Sequence, residues 1–508
     1  MNYFKYMRRV HLKWNTTHTT YRTRCIVIVL LTIFLLTMAL RWSMKSLPEH
    51  TVHKMDVPAM RQKVKAMMLH AWSNYHRYAW GSNELCPITR RGCRGSTFST
   101  HSFGATIIEA LDTLHIMGLK KEYQHGRDWI EAHFALDNVS AALPVFELTS
   151  RLLGSMLSLY SLTGDILYRN KALQIADKIM PAFDTPTGIP KSIINLRSGH
   201  AQSSNDISKF GALHLELSYL SDITGNPVYR ERVQRIRKVL GNMTKPNGLY
   251  PNRMNIKTGK WIGGDSSINR FHDYLLKSWL QSGNMDTESK QLYTDAILDI
   301  VQNLLTVSPQ GDTYISDYAN GSQKKRMDQA ACFSGAFFAF GAAYDQMKHW
   351  EKYTDIGTSI TETCHRSYEQ TPTKLAPEVL VFPNGKAAPH QRNRYMLSGD
   401  VVESYLAMWR LTRDKRYRSL GCKLVQAIEK YCRKPHGYSG IRNVHEMPPE
   451  PVDSQPSLFL AKTLKYLFLL FSEDDVISLY EWVLNSGGHA LPIKGENEFY
   501  RELVYDRS

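Results

Sequence analysis

Phe146-Glu-Leu-Thr-Ser-Arg-Leu-Leu-Gly-Ser-Met-Leu-Ser-Leu-Tyr160 decides the fold class. Its apolar residues recur at i, i+3, i+4 and i+7, the period of a helix with a broad buried face. Directly after it comes Leu162-Thr-Gly-Asp-Ile-Leu-Tyr168, a phrase that returns as Ile223-Thr-Gly-Asn-Pro-Val-Tyr229 and Leu411-Thr-Arg-Asp-Lys-Arg-Tyr417. Each copy closes one helical stretch and opens another, so each reads as the joint of a helical hairpin. Thr163, Thr224 and Thr412 stand 61 and 188 residues apart, and the second spacing is close to three times the first. A period of about 60 residues predicts about seven hairpins over the helical part of the chain. Paired helices at a fixed period either stack as an open solenoid or close into a ring with inner and outer layers. Residues 330–343, apolar or small on every side, favour the ring, because such a helix is covered all round. As a membrane span that stretch is too short, and it follows the charged Lys324, Lys325, Arg326 and Asp328.

The chain has 508 residues, 43% hydrophobic and 22% charged, which excludes disordered and low-complexity classes. Its formal charge is +16, and half of that excess is Lys5, Arg8, Arg9, Lys13, Arg22, Arg24, Arg41 and Lys45, in a segment without an acid. These cations flank the uncharged run Cys25 to Leu40, so they mark a membrane anchor rather than a nucleic-acid surface. The reading is a basic cytoplasmic tail at 1–24, a transmembrane signal-anchor at 25–42, a luminal stem at 43–56 and an (αα)7 barrel at 57–508. A cleaved signal peptide fits less well, because Arg41-Trp-Ser-Met-Lys45 lacks small residues. A luminal body makes Asn138, Asn242 and Asn320 acceptors for N-glycans, while Asn15 faces the cytosol. With Cys25 in the anchor, six cysteines remain in an oxidising compartment, and no C-x-x-C spacing suggests zinc.

The chemistry is expected where inner helices begin, since those ends point into the mouth of a ring. Glu147, Asp273, Asp328, and Asp400 with Glu403 occupy such starts. Convergent carboxylates suit glycosidic hydrolysis, in which one acid protonates the leaving oxygen and another activates water. For any single residue the competing reading is an acid that meets the helix dipole or caps free N–H groups.

Four stretches at those places carry a resemblance. Glu109-Ala-Leu-Asp-Thr-Leu-His-Ile-Met-Gly-Leu119, Val145-Phe-Glu-Leu-Thr-Ser-Arg151, Ile189-Pro190 and Leu464-Lys-Tyr-Leu-Phe-Leu-Leu-Phe-Ser-Glu-Asp-Asp475 resemble glycoside hydrolase family 47, the class I α-1,2-mannosidases, and most closely its Golgi branch. The likeness runs in order through Gly248-Leu-Tyr-Pro251 and Met408-Trp-Arg-Leu-Thr412. It implies an (αα)7 barrel, one calcium ion (Ca2+) at the bottom of the pocket, inversion at the anomeric carbon, and trimming of terminal α-1,2-mannose from high-mannose N-glycans in the Golgi lumen. By the same likeness Glu147 is the acid, Arg151, Asp273, Glu403 and Gln329 contact substrate, and Asp400 is the base. Ser486 holds the metal, and Cys332 pairs with Cys364, closing a loop that contributes about 3 kcal/mol in the entropy model. Cys86 and Cys93 are expected as a local second pair, with Cys422 a buried thiol.

Several positions depart from the family's pattern. D-S-F-Y-E-Y becomes Asn269-Arg-Phe-His-Asp-Tyr274, so a catalytic Asp is replaced by the uncharged Asn269. L-R-P-E becomes Leu397-Ser-Gly-Asp400, which shortens the base by one methylene. The His of M-D-H-L is Gln329, the acid of A-E-F-G is Lys209, and the acid of A-E-T-L-K is Lys462. F-N-T-E-A-H becomes Leu484-Asn-Ser-Gly-Gly-His489. An ammonium at Lys462, where the family keeps an acid near the calcium, predicts that the cation's place is taken from within the chain, with Glu403 as one of its acids. Two functions follow: an α-1,2-mannosidase, and alternatively a catalytically impaired paralogue that binds high-mannose glycans without hydrolysing them.

Overall fold

A computed structural model of the chain describes residues 56–93, 97–98, 101–137, 139–202, 206–345, 350–382 and 392–503. The expected tail and signal-anchor, and all of the stem but Asp56, lie outside the described residues, as does Asn138. Among the described residues no helix is long and apolar enough to cross a membrane.

Fourteen described helices of seven residues or more alternate between two layers. They are α1 (Val57–Ala79), α2 (Ala105–Ile116), α3 (Lys120–His133), α4 (Gly154–Thr163), α5 (Ile166–Ile179), α6 (His214–Thr224) and α7 (Val228–Gly241), followed by α8 (Arg270–Gln281), α9 (Thr287–Asn303), α10 (Ser334–Asp345), α11 (Trp350–Glu369), α12 (Asp400–Thr412), α13 (Arg416–Ala427) and α14 (Leu464–Leu470). Each even-numbered helix packs on the odd-numbered helix that follows it, and α14 packs on α1. The even-numbered helices also pack on one another in turn, from α2 through α14. The turn Phe459–Thr463 that leads into α14 returns to α2, so the inner layer closes as a ring of seven. Burial follows the layers: α8 buries every residue after Arg270, whereas the outer α3 buries only Gly126 and Ile130.

The recurring phrase makes the same joint each time. Thr163, Thr224 and Thr412 end inner helices, and each hydroxyl donates to the carbonyl four residues back, of Leu159, Leu220 and Met408. Each then accepts the N–H of the acid or amide two residues on, Asp165, Asn226 or Asp414. Those side chains accept the N–H groups of Leu167, Val228 and Arg416 at the next helix start. The residue between must be left-handed, which Gly164 (φ 72°) and Gly225 (φ 69°) do without strain and Arg413 (φ 61°) does not.

Strands are short and antiparallel, most of them hairpins, with Ala142–Pro144 joining Ile193–Asn195 in a three-stranded sheet and Arg326–Asp328 pairing with the distant Val379–Val381. One hairpin, Trp482–Leu484 with Ala490–Pro492, packs on α4, α6 and α8, and its buried tip carries Asn485 to His489 into the ring. There Lys465 of α14 donates to Asp112 of α2 at 2.6 Å and to the Gly488 carbonyl at 2.6 Å, and His489 Nδ1 meets the same Asp112 oxygen at 2.9 Å. Asp112, Lys465 and His489 have no exposed surface.

Both expected disulfides form, Cys86–Cys93 and Cys332–Cys364. Cys422 is a correction, because the thiol is only half-buried on the outer α13, 3.7 Å from Met60 Sδ; the fully buried free thiol is Cys432. Asn242 and Asn320 lie exposed in loops.

Asp112→Ala leaves a buried ammonium without its counter-ion and is expected to cost about 3 to 5 kcal/mol in urea unfolding. Burial pushes the Asp112 carboxyl up, but Lys465 and His489 outweigh it and hold it at about 2. The unfolded value is about 3.9, so this contribution is complete above roughly pH 4 and disappears as pH falls through about 2. A gap between the two proteins that does not narrow over that range would show that Asp112 is not the ion-pairing partner.

Candidate active site

Every inner helix returns by an outer one, so the inner helices run the same way and begin at the same end of the ring. Glu147 closes the turn Val145–Glu147, and a π-helical turn, Leu148–Leu153, joins it to α4. The Glu147 side chain is 16% exposed and accepts from Arg151 Nη1 at 3.2 Å, with Lys209 Nζ 3.6 Å from its other oxygen. Arg151 is aimed by a fork: Nε and Nη2 donate to the two oxygens of buried Glu109, both at 2.9 Å, and Nη2 also donates to Ser457 at 2.8 Å. The guanidinium lies 4.5 Å from the Phe98 ring centre. Burial pushes the nearby Glu84 carboxyl up to about 7 against the pull of Arg151. This frame fixes Glu147 at the mouth with one face to solvent.

A second cluster spans the starts of α8, α12 and α14. Arg270 donates to Asp273 at 3.0 Å, to Asp400 at 2.9 Å and to Glu403 at 2.9 and 3.2 Å, with its guanidinium 4.1 Å from the Phe333 ring centre. Lys277, about two turns into α8, donates to Asp273 and Glu403, both at 2.9 Å. Lys462 sits on the π-helical turn Phe459–Thr463, donates to Asp400 at 2.5 Å and lies 3.7 Å from Glu403. Three cations thus meet three acids in a nearly dry floor. Burial raises the carboxyls of Asp400 and Glu403, but Lys462 and Arg270 at the first and Arg270 and Lys277 at the second reverse the shift, and both stay below the usual carboxylate range.

The cluster limits what Asp400 can do. One oxygen accepts from both Arg270 and Lys462, and the other accepts from Ser398 Oγ at 2.9 Å. A carboxylate so held is ionised but weakly basic, which disfavours proton abstraction from water.

The other expected site residues fall in different places. Asn269 caps α8: its Oδ1 accepts from Phe271 N at 3.0 Å, its Nδ2 donates to the Ser267 carbonyl, and His272 completes a capping box. Gln329 is buried and donates to Tyr368 Oη at 2.6 Å. Asp328 faces outward and pairs with Arg392 across half-exposed surface. Ser486 at the hairpin tip has its Oγ 3.5 Å from Tyr274 Oη, and Tyr274 donates at 2.8 Å to Glu216, a buried carboxyl that burial raises to about 7. Arg270 and Lys277 are not among the site residues expected from the sequence. Arg270 stands where the quoted motif D-S-F-Y-E-Y has Ser, so that one position carried a signal; Lys277 carried none before its partners were known.

Calcium does not fit the residues present. The acid expected beside it is Lys462, the acid of the hairpin tip is Gly487, the floor carboxylates Asp273, Asp400 and Glu403 are each paired with at least two cations, and Glu216 near the tip accepts from Tyr274 and Asn485. Among the described residues no three His, Cys, Asp or Glu side chains are grouped as a metal cage.

Comparison with known proteins agrees with the ring. The model of glycosyl hydrolase family 47 matches residues 67–493. Mannosyl-oligosaccharide α-1,2-mannosidase IA of Drosophila melanogaster is 51% identical over 460 residues, covering 87% of this chain and 68% of that protein. The human mannosyl-oligosaccharide 1,2-α-mannosidase IC is 44% identical over 450 residues, covering 86% of this chain and 71% of its own. The solved α-1,2-mannosidase from Trichoderma reesei superposes with a TM-score of 0.78 at 23% identity, over 86% of this chain and 99% of that one, a likeness of fold. With the family's pattern spanning most of its length, this chain belongs to glycosyl hydrolase family 47.

Proposed function

We propose that this protein acts on terminal α-1,2-linked mannose of high-mannose N-glycans, with Glu147 as the group that protonates the departing oxygen. The observation that carries this reading is the Glu147, Arg151 and Glu109 frame: a carboxyl at the mouth, oriented by a buried bidentate arginine, with access to solvent. In this reading Asp400 activates water despite the ion pairs with Arg270 and Lys462 that weaken it as a base. The chain's place is the Golgi lumen, behind an N-terminal anchor that makes it a single-pass type II protein. Two disulfides support an oxidising compartment, and exposed Asn242 and Asn320 are available for glycans of their own.

One observation favours a second reading, in which the pocket holds the glycan without cleaving it. Both oxygens of Asp400 are occupied by donors from Arg270, Lys462 and Ser398, and Asn269 is spent on a helix cap.

Incubation of the purified protein with a high-mannose N-glycan, with released mannose measured over time, separates the readings. As a hydrolase it releases mannose, and Glu147→Gln lowers turnover by about 10² to 10⁴ while glycan affinity stays within a few-fold. As a binding protein it retains the glycan and releases nothing, with or without the substitution. Neither binding nor release would remove both readings.

Asp400→Glu gives a second test. A longer side chain restores the reach of the family's base but must break from Lys462 or Arg270 to do so. If Asp400 is the base, turnover rises; if turnover falls, the backbone has re-formed around the shorter acid and the ion pairs set its position.

A further inference from the structure

The floor of the pocket is built from cations that belong to the chain. Arg270 binds all three of Asp273, Asp400 and Glu403, Lys277 binds two of them, and Lys462 reaches Asp400 and Glu403. Three positive side chains balance three negative ones, so the cluster is formally neutral before any ion enters. None of the three cations is more than 13% exposed at its side chain.

The surrounding chain accommodates them. Gly488 takes φ 81° at the hairpin tip, and a Cβ there would lie 3.2 Å from Cα, Cβ and Cγ of Lys462, so a side chain is missing just where the lysine stem passes. Phe333 supplies an aromatic face for the Arg270 guanidinium. Behind the cluster, Lys277, Glu403, Tyr466 and Leu484 border a cavity of about 20 Å³, room for little more than one water. Calcium takes about six to eight oxygens at about 2.3 to 2.6 Å. Both Glu403 oxygens and one of Asp400 are taken by ammonium and guanidinium groups, Ser398 holds the other Asp400 oxygen, and the hairpin tip offers Ser486 with a single acid nearby, Glu216, one of whose oxygens accepts from Asn485 and Tyr274.

The geometry points to a metal-independent pocket, in which Arg270, Lys462 and Lys277 together stand in for a divalent cation and Arg270 is the residue that positions Asp400 and Glu403. This inference rests on reading the pocket as the mannose site, but it concerns how the floor is neutralised and is tested without sugar. The three side chains hold the acids in place and supply N–H donors. A divalent ion would have to displace at least one of them.

The test is thermal unfolding of the purified full chain, followed by tryptophan fluorescence, in a chelator and in millimolar calcium chloride. The unaltered protein is expected to melt at the same temperature in both. The double variant Arg270→Ser with Lys462→Glu returns an acid and opens the floor. At about a hundred-fold excess of calcium over Kd it should melt about 3 °C higher than in chelator. A saturable calcium-dependent rise in the unaltered protein, reversed by chelator, overturns the proposal. A double variant that folds and shows no calcium response also overturns it. If that variant does not fold, the unaltered protein still decides, because its response or indifference to calcium is the claim itself. Glycan binding measured separately in chelator keeps the two readings apart. Loss of binding there would remove the mannose site and leave the calcium result standing.

Discussion

The ion pair between Asp112 and Lys465 closes the ring. Asp112 belongs to the first inner helix and Lys465 to the last, 353 residues away, and neither has exposed surface. A charge so deep is tolerated only when its partner and further hydrogen bonds are in place. Here Lys465 also grips the Gly488 carbonyl and His489 meets the same carboxylate, so the closure seats the hairpin tip as well. Ser486, Gly487 and the stem of Lys462 take their places from that seat. The floor of the pocket therefore inherits its geometry from the contact that joins the two ends of the barrel.

Around that floor the chain solves an electrostatic problem in its own way. Asp273, Asp400 and Glu403 converge because three inner helices begin together, and three buried like charges cannot all stay ionised unaided. At an effective dielectric of ~20, two unit charges ~4 Å apart interact by roughly 4 kcal/mol. Arg270, Lys277 and Lys462 offset that repulsion with short charge-assisted hydrogen bonds. The same bonds fix Asp400 in one orientation and lower its basicity, so neutralising the floor and activating water make opposing demands on one side chain. At the mouth the demands do not collide. Arg151 gives two donors to Glu109, one to Ser457 and one to Glu147.

Two of the key cations, Arg151 and Lys462, project from π-helical turns on inner helices. A widened turn rotates the following side chains relative to a regular helix, and such turns concentrate at functional sites. Nothing in the residues of Leu148–Leu153 or Phe459–Thr463 announces the extra residue per turn. Both turns are buried and pack on neighbouring helices of the ring.

Much of the fold was legible in the residues. The spacing of Thr163, Thr224 and Thr412 and the all-round apolar character of residues 330–343 gave hairpins in a closed ring, because helix period, capping chemistry and left-handed turns act over a few neighbouring residues. Glu147, Asp400 and Glu403 were legible as acids at the starts of inner helices. Family resemblance gave those acids their roles and located Arg151 and Lys462, together with the Cys332–Cys364 bridge. Only the tertiary structure decided which of these carry out a task. Asn269 became a cap, Asp328 turned outward, and Arg270 and Lys277 filled the floor, because the partner of a buried charge is chosen by distances across helices that lie far apart in the chain, 133 positions for Arg270 and Glu403. A sequence sets the number of charges; the closure of the ring sets which of them meet, and burial makes that meeting decisive.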